Sequence, residues 1–223
     1  MQTRARPVAA IIIIITTAGI IVGAAASCRT AAVNPSPPIV QPGAPGASSR
    51  VITADESIDL SKVHYTGADV TFMQGMIGHH AQAIEMIELL ASRTASEGMR
   101  KLAQRIELSQ ADEIKMMQRW LEVRGQEVPG PHALHMHGAT LMPGMLNPEE
   151  MDRLAAAKGT EFDRLFLEGM IKHHAGALIM VEELFSQPGA AQESEIFGFA
   201  SDVDADQRME IDRMGMMLKE LQK

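Results

Sequence analysis

The sequence has a single cysteine, Cys28, which rules out an internal disulfide. Rings are scarce, with one Trp, one Tyr and six Phe, and against that scarcity stand 17 methionines. There is no excess of basic charge: 20 Lys and Arg face 28 Asp and Glu, for a formal charge of -8. Setting aside Arg4 and Arg6 at the amino terminus leaves 18 basic residues and a charge near -10. Such a chain repels a phosphate backbone, so nucleic acid is not expected as a partner. The motifs of several enzyme classes are missing too. No Gly-x-Ser-x-Gly turn offers a serine nucleophile, no glycine loop cradles phosphates, and no Cys-x-x-Cys is present. Nor is there a Glu-x-x-His pair of the kind that builds di-iron or di-manganese bundles. The expectation is a binding protein, not an enzyme, with no residue assigned a catalytic role.

What the sequence does contain, it contains twice. Residues 69–87 and 163–181 superimpose at a fixed offset of 94, which aligns Phe72 with Phe166, Gly75 with Gly169, Met76 with Met170 and Ala83 with Ala177. The same offset aligns His79 and His80 with His173 and His174, and Met86 with Met180. A coincidence of that many residue types marks a duplicated unit.

The amino terminus carries Arg4 and Arg6, an apolar run from Val8 to Val22, and small residues leading to Cys28, the layout of an export signal over 1–27. Ala25-Ala26-Ser27-Cys28 approximates a bacterial lipobox, so a lipid on Cys28 is the expected membrane contact of a periplasmic or cell-surface protein. Plain cleavage near Ala26, or retention of the run as an anchor, is the alternative. Residues 28–57 follow as a Pro-, Gly- and Ser-rich tether with too little apolar content to bury a core.

Residues 58–223 are expected to be all-α. Thr66 stands three before Asp69 and Thr160 three before Asp163, a capping-box spacing that predicts the same helix start in both copies. At about 100° per residue, Met73, Met76, Ile77, Ala83, Ile84 and Ile87 form one stripe with His80 at its centre. His79 lies on the flank of that stripe with Phe72, Met86 and Leu90, at the predicted edge of the interior. A second helix over about 96–124 ends at Gly125 and puts Gln110 and Glu113 on its apolar face beside Ile106, Ile114 and Met117. The carboxy-terminal helix repeats this with Gln207, Glu210, Ile211 and Met214. Each unit is a helical hairpin, 66–125 and 160–223. Neither hairpin can bury its face alone, and together they make a four-helix bundle joined by a long crossover linker, 126–159. Asn147-Pro148 opens a short helix late in that linker.

Two groups of residues point to metal. In the linker, His132, His135, Met136, His137, Met142 and Met145 occupy fourteen positions among Pro and Gly, where no apolar face is expected. Zinc would be satisfied by the histidines; the thioethers tilt the choice to copper, Cu(I) first and Cu(II) through imidazole. In the bundle, His80 can face Met73, Met76, Gln110, Glu113 and Met117, with His174, Gln207, Glu210 and Met214 as the matching set. Adjacent helix residues point about 100° apart, so each His pair serves two different places. His80 and His174 belong inside, as ligands or as a hydrogen-bonded network with Gln and Glu, whereas His79 and His173 are expected to be exposed enough to reach surface metal with Met86 and Met180.

The pattern Phe-x-x-Gly-Met-Ile-x-His-His-x-x-Ala, followed one helix later by Gln-x-x-Glu-Ile-x-x-Met, resembles the family catalogued as domain of unknown function 305, over about Gly67 to Leu221. The resemblance implies a ferritin-like four-helix bundle, and some members of the family are exported copper-binding proteins implicated in copper resistance. It points to Met76, His79, His80, Met86, Gln110, Glu113 and Met117, and to Met170, His173, His174, Met180, Gln207, Glu210 and Met214. The sequence departs from the family pattern at Gly78, at Gly176 in mid-helix, and at Lys172, whose charge beside His173 is expected to weaken the second unit. The expected function is copper sequestration or transfer, with the delivery partner unidentified. The alternatives are a di-metal iron or manganese bundle enzyme and a metal-free structural or partner-binding module.

Overall fold

Thr66 opens the first long helix as the spacing predicts: its side chain accepts from Asp69 N, and the Asp69 carboxylate takes the Thr66 backbone N–H in return. A computed structural model describes residues 37–41, 48–58, 64–130 and 141–222. The elements are β1 (Ile39–Gln41), β2 (Arg50–Ile52), α1 (Ala54–Ile58), α2 (Gly67–Leu90), α3 (Glu97–Val123), α4 (Pro148–Ala156), α5 (Gly159–Ser186) and α6 (Ser194–Leu221). The expected tether is thus not wholly irregular. β1 and β2 pair antiparallel, Val40 opposite Val51, while Ile39, Val40 and Val51 stay exposed, so the stretch pairs its backbone without building a core.

α2 and α3 form one hairpin and α5 and α6 the other, and α2 packs against α5. Ser96 caps α3 through Met99 N, and Gly125, at φ +63°, takes the left-handed turn that ends it. Asn147 caps α4 with a full capping box to Glu150 and Pro148 at the first position. The second copy departs from the first at its start. α5 begins at Gly159, with Lys158 as an N-cap that makes no side-chain bond, so Thr160 lies inside the helix. The cause is the chain's route: α4 runs almost directly into α5, and Gly159 N is held by Arg93 O at 2.7 Å. Asp69 has a further task here, because its Oδ1 accepts from Ala191 N at 2.7 Å, pinning the one non-glycine residue at positive φ among the described residues in the α5–α6 connection.

A lock closes one end of the bundle. Trp120, wholly buried, donates from Nε1 to Glu193 Oε2 at 3.2 Å, while the Arg124 guanidinium lies 4.2 Å from the Trp120 ring and pairs with Glu193 and Glu195. Glu193→Ala would leave the Trp120 N–H without its acceptor and the mostly buried Arg124 head with only Glu195 and Trp120 O, a cost of roughly 2 kcal/mol. Melting followed by circular dichroism should fall by roughly 4–8 °C, and Glu193→Gln should recover part of the loss by restoring an acceptor for Trp120.

Candidate metal centre

α2 is buried around most of its circumference, not along a single stripe. The stripe centred on His80 faces α3. The flank that carries Phe72, Gly75 and His79 is covered by α5 and by the end of the linker. His79 and His173 are therefore fully buried, and the expectation that they sit at an accessible edge is overturned. Their rings stack across the seam between the copies, centroids 3.8 Å apart and planes at 36°. His80 lies 6.4 Å from His79 and His174 6.2 Å from His173, so four imidazoles follow one another across the interior.

Each ring is tied through the same nitrogen. His79 Nε2 donates to Pro143 O at 3.0 Å, and His173 Nε2 to His79 O at 2.8 Å. A carbonyl only accepts, so these bonds place the proton on Nε2 and leave the lone pair on Nδ1. His80 Nε2 meets Glu113 Oε2 at 2.5 Å, and His174 Nε2 meets Glu210 Oε2 at 2.7 Å. None of the four Nδ1 atoms has a hydrogen-bond partner among the described residues, and neither side-chain atom of buried Gln110 nor Oε1 of Gln207 has one. Buried polar atoms are almost always paired, so the four unpaired Nδ1 atoms are the positions through which these residues could hold a metal.

The electrostatics keep that set available. Burial, reinforced by His80 and opposed by the Pro143 bond, lowers His79 to about 3. His173 is pushed well below the usual histidine range by burial and then by His79. Both stacked rings are neutral near pH 7, the form a metal requires. Burial works to raise the Glu113 carboxyl, but the bond from His80, with Ser109 Oγ at 2.9 Å on its other oxygen, holds it below its ordinary value.

The thioethers are exchanged between copies. Met76 and Met117 of the first hairpin share an apolar cluster with Met180 of the second. Met170 and Met214 of the second share the other cluster with Met86 of the first. All six are buried. Among the described residues, His, Cys, Asp and Glu alone form no group of three fit to hold an ion, and these sulfurs are further soft donors in the same interior.

The linker differs from expectation where it is described. His132, His135, Met136 and His137 lie outside the described residues. Met142 and Met145 do not sit in a solvated loop: Met145 and Leu146 are buried, and Met142 packs against the first apolar cluster. The 142–146 segment is a strap across α2 and α5. Gln82 grips it by taking Leu146 N on Oε1 and giving Nε2 to Leu146 O, both at 2.8 Å. At the matching position of α5 stands Gly176, where an added Cβ would lie 1.9 Å from Pro143 O. The Lys172 amine is paired with Glu150 at 2.7–2.8 Å, which offsets its charge beside His173. Gln82 was not among the expected site residues; the mismatch of Gln82 with Gly176 at the repeat offset is the signal that marks the strap's crossing.

These features define a class: a duplicated helical-hairpin bundle with a buried histidine, glutamate and methionine interior. The chain belongs to the family described as "Domain of unknown function (DUF305)", which matches residues 69–218. Among solved structures, a DUF305 protein of Streptomyces coelicolor, inferred to be secreted, is 29% identical at a TM-score of 0.61, covering 69% of this chain and 93% of that one. A DUF305 fragment from Deinococcus radiodurans gives 29% and 0.61, covering 70% and 98%. CopM in its Cu(II)-bound form gives 28% and 0.56, covering 68% and 96%, and that protein is also described in Cu(I)-bound and silver-bound forms. No curated protein matches the chain.

Proposed function

We propose that this chain is an exported copper-binding protein that sequesters or hands on Cu(I) through imidazole and thioether ligands and so contributes to copper tolerance. It binds and does not catalyse. The observation that carries the reading is the row of four buried imidazoles, each fixed through Nε2 and each presenting an unused Nδ1, within a bundle whose remaining soft donors are methionines. Glu113 and Glu210 then act behind the ligands, orienting His80 and His174 and raising their basicity. Likeness to CopM, which binds Cu(I), Cu(II) and silver, supports the same cargo here. The linker residues His132, His135, Met136 and His137 serve in this reading as the point of first capture. The signal-like amino terminus and the secreted relative support export. Among the described residues no helix is long and apolar enough to cross a membrane, and a lipid on Cys28 would supply the anchor.

The test is competition between the intact chain and a Cu(I) chelator under anaerobic conditions. The wild type should withdraw the ion, and Glu113→Gln should weaken the affinity by about 10–100-fold, the usual effect of losing an orienting partner. Copper left on the chelator, with iron or manganese retained through purification, would favour a di-metal centre. Melting unchanged by every metal would favour a metal-free module.

A further inference from the structure

We infer that Met142 and Met180 form a monovalent soft-ion site at the mouth of a surface cavity, present in the first copy of the repeat and absent from the second. The inference rests on the copper reading and names where and how the ion is held at the edge of the bundle.

The Met142 sulfur and the Met180 methyl group converge on one point of α2. A Cβ added to Gly75 would meet Met142 Sδ at 3.3 Å and Met180 Cε at 3.4 Å, so the missing side chain is what lets both reach the helix surface. Met180 comes from the other copy, by the same exchange that places Met86 on the far side. Met142 comes from the strap, and the strap is fixed. Pro143 O accepts from His79, Gly144 and Gly176 leave no room between strap and helix, Met145 N closes a turn on Met142 O at 3.2 Å, and Gln82 grips Leu146. The Met142 thioether is thus pre-placed and not searching.

The repeat supplies its own control. At Gly169, the counterpart of Gly75, the added Cβ would meet Met86 Cε at 3.2 Å and Leu146 Cδ2 at 3.1 Å. Both points are packed by one methionine from the opposite hairpin and one strap residue, but the strap residue is Met142 in one case and Leu146 in the other. Only the first has two sulfurs. The two points differ in access as well. Met142 is half-buried and borders a cavity of about 350 Å³ with Thr71, Phe72, Gly75, Met180 and Glu183, whereas Leu146 is buried and borders a smaller cavity of about 140 Å³ with Gly169 and Lys172.

The chemistry of this wall selects the ion. Two neutral thioethers in an apolar cavity offer no charge to offset a dication, whose burial is costly, and no oxygen array for a hard ion. A large, polarisable monocation such as Cu(I) or Ag(I) accepts sulfur, and Glu183, on the cavity wall, carries the one balancing charge. The cavity makes this the bundle's loading position, one helical turn from His79, which is at i+4 from Gly75 on α2.

The experiment uses the intact chain with methionine methyls labelled with carbon-13, titrated with Ag(I) as a redox-stable probe and then with Cu(I) anaerobically. Met142→Leu and Met180→Leu assign the two resonances, and in the wild type both should shift together. Either substitution should abolish the shift of its partner and lower the number of tightly held ions by one. Met86→Leu should leave both shifts intact. Leu146→Met, a swap that conserves volume, should create a second responding pair with Met86 and raise the count by one. If silver and copper bind but Met142→Leu changes neither count nor shifts, this site is wrong and the copper reading stands. If no methyl responds and a chelator keeps every ion, both fall.

Discussion

Replacing Gly176 by alanine should be among the most damaging single-methyl additions the bundle can receive. The new Cβ would lie 1.9 Å from Pro143 O, 2.4 Å from Pro143 C and 2.7 Å from Gly144 Cα, and all three are backbone atoms with no rotamer to give. Alanine in mid-helix brings up to about 1 kcal/mol of helix propensity. Overpacking against immovable neighbours costs about 1–3 kcal/mol or more, and here the only relief is to lift the strap. Lifting it breaks the His79 to Pro143 bond and strains the double bond from Gln82 to Leu146, leaving buried donors unpaired at about 1–3 kcal/mol each. A net loss of roughly 3 kcal/mol, at roughly 2–4 °C per kcal/mol for a domain of this size, lowers the melting temperature by roughly 6–12 °C. Gly198→Ala and Gly215→Ala on α6 meet nothing within 4 Å and should hold or raise stability. Melting of Gly176→Ala at the wild-type temperature would show that the strap does not cross there.

That glycine also shows how much of the fold could be read from sequence. The repeat at offset 94, the stripe on α2, the caps at Thr66 and Asn147, the start of α3 near Ser96 and the stop at Gly125 are local signals, and each appears where expected. Gly176 is visible as a break in the repeat, but its reason is a backbone 33 residues away in sequence, at Pro143, and helical periodicity carries no information about what crosses a helix from outside. For the same reason Thr160 has the right spacing for a cap and does not serve as one: the short path from α4 decides where α5 begins.

The site divides along the same line. The placement of His80 beside Glu113 and of His174 beside Glu210 follows from matching one helix face to the face of its hairpin partner, a contact between sequence neighbours. His79 and His173 lie elsewhere than expected because a single stripe accounts for one neighbour, α3, whereas α2 is also packed by α5, α4 and the strap. Met142 and Met145 were misplaced because Pro and Gly in a linker suggest solvent, whereas here they let the chain lie flat on two helices. Both errors have one cause, the burial that a long crossover provides. Correcting them moves His79, His173 and Met145 from the surface to the interior, with Met142 half-buried and Met180 beside it on a cavity wall.

Burying two neutral imidazoles in contact makes the stability of the metal-free chain depend steeply on mild acid. His79 is lowered from 6.5 to about 3 and His173 is lowered well below 6.5, in both cases first by burial. In the unfolded chain both take up protons near pH 6.5. The native state therefore binds fewer protons between these limits, and the contribution is fully present above pH 6.5 and lost as pH falls toward the folded values. Each ring gives a slope of up to about 1.4 kcal/mol per pH unit, reached only below pH 6, so the pair should cost roughly 3 kcal/mol between pH 6.5 and 5. Carboxylates held low in the native state, Glu113 and Asp204, add to the loss only at lower pH, where unfolded Asp and Glu begin to protonate. Urea denaturation of the metal-free chain at pH 7, 6 and 5 should show the fall, and His173→Leu should reduce its slope by about half because one titrating ring is gone. Stability flat across that interval would mean that the stacked rings accept protons in the folded state. Under the proposed copper binding, the same proton competition would act on the ligands: donors whose imidazoles stay neutral in the folded chain should hold a metal at a pH where free imidazole would already have released it.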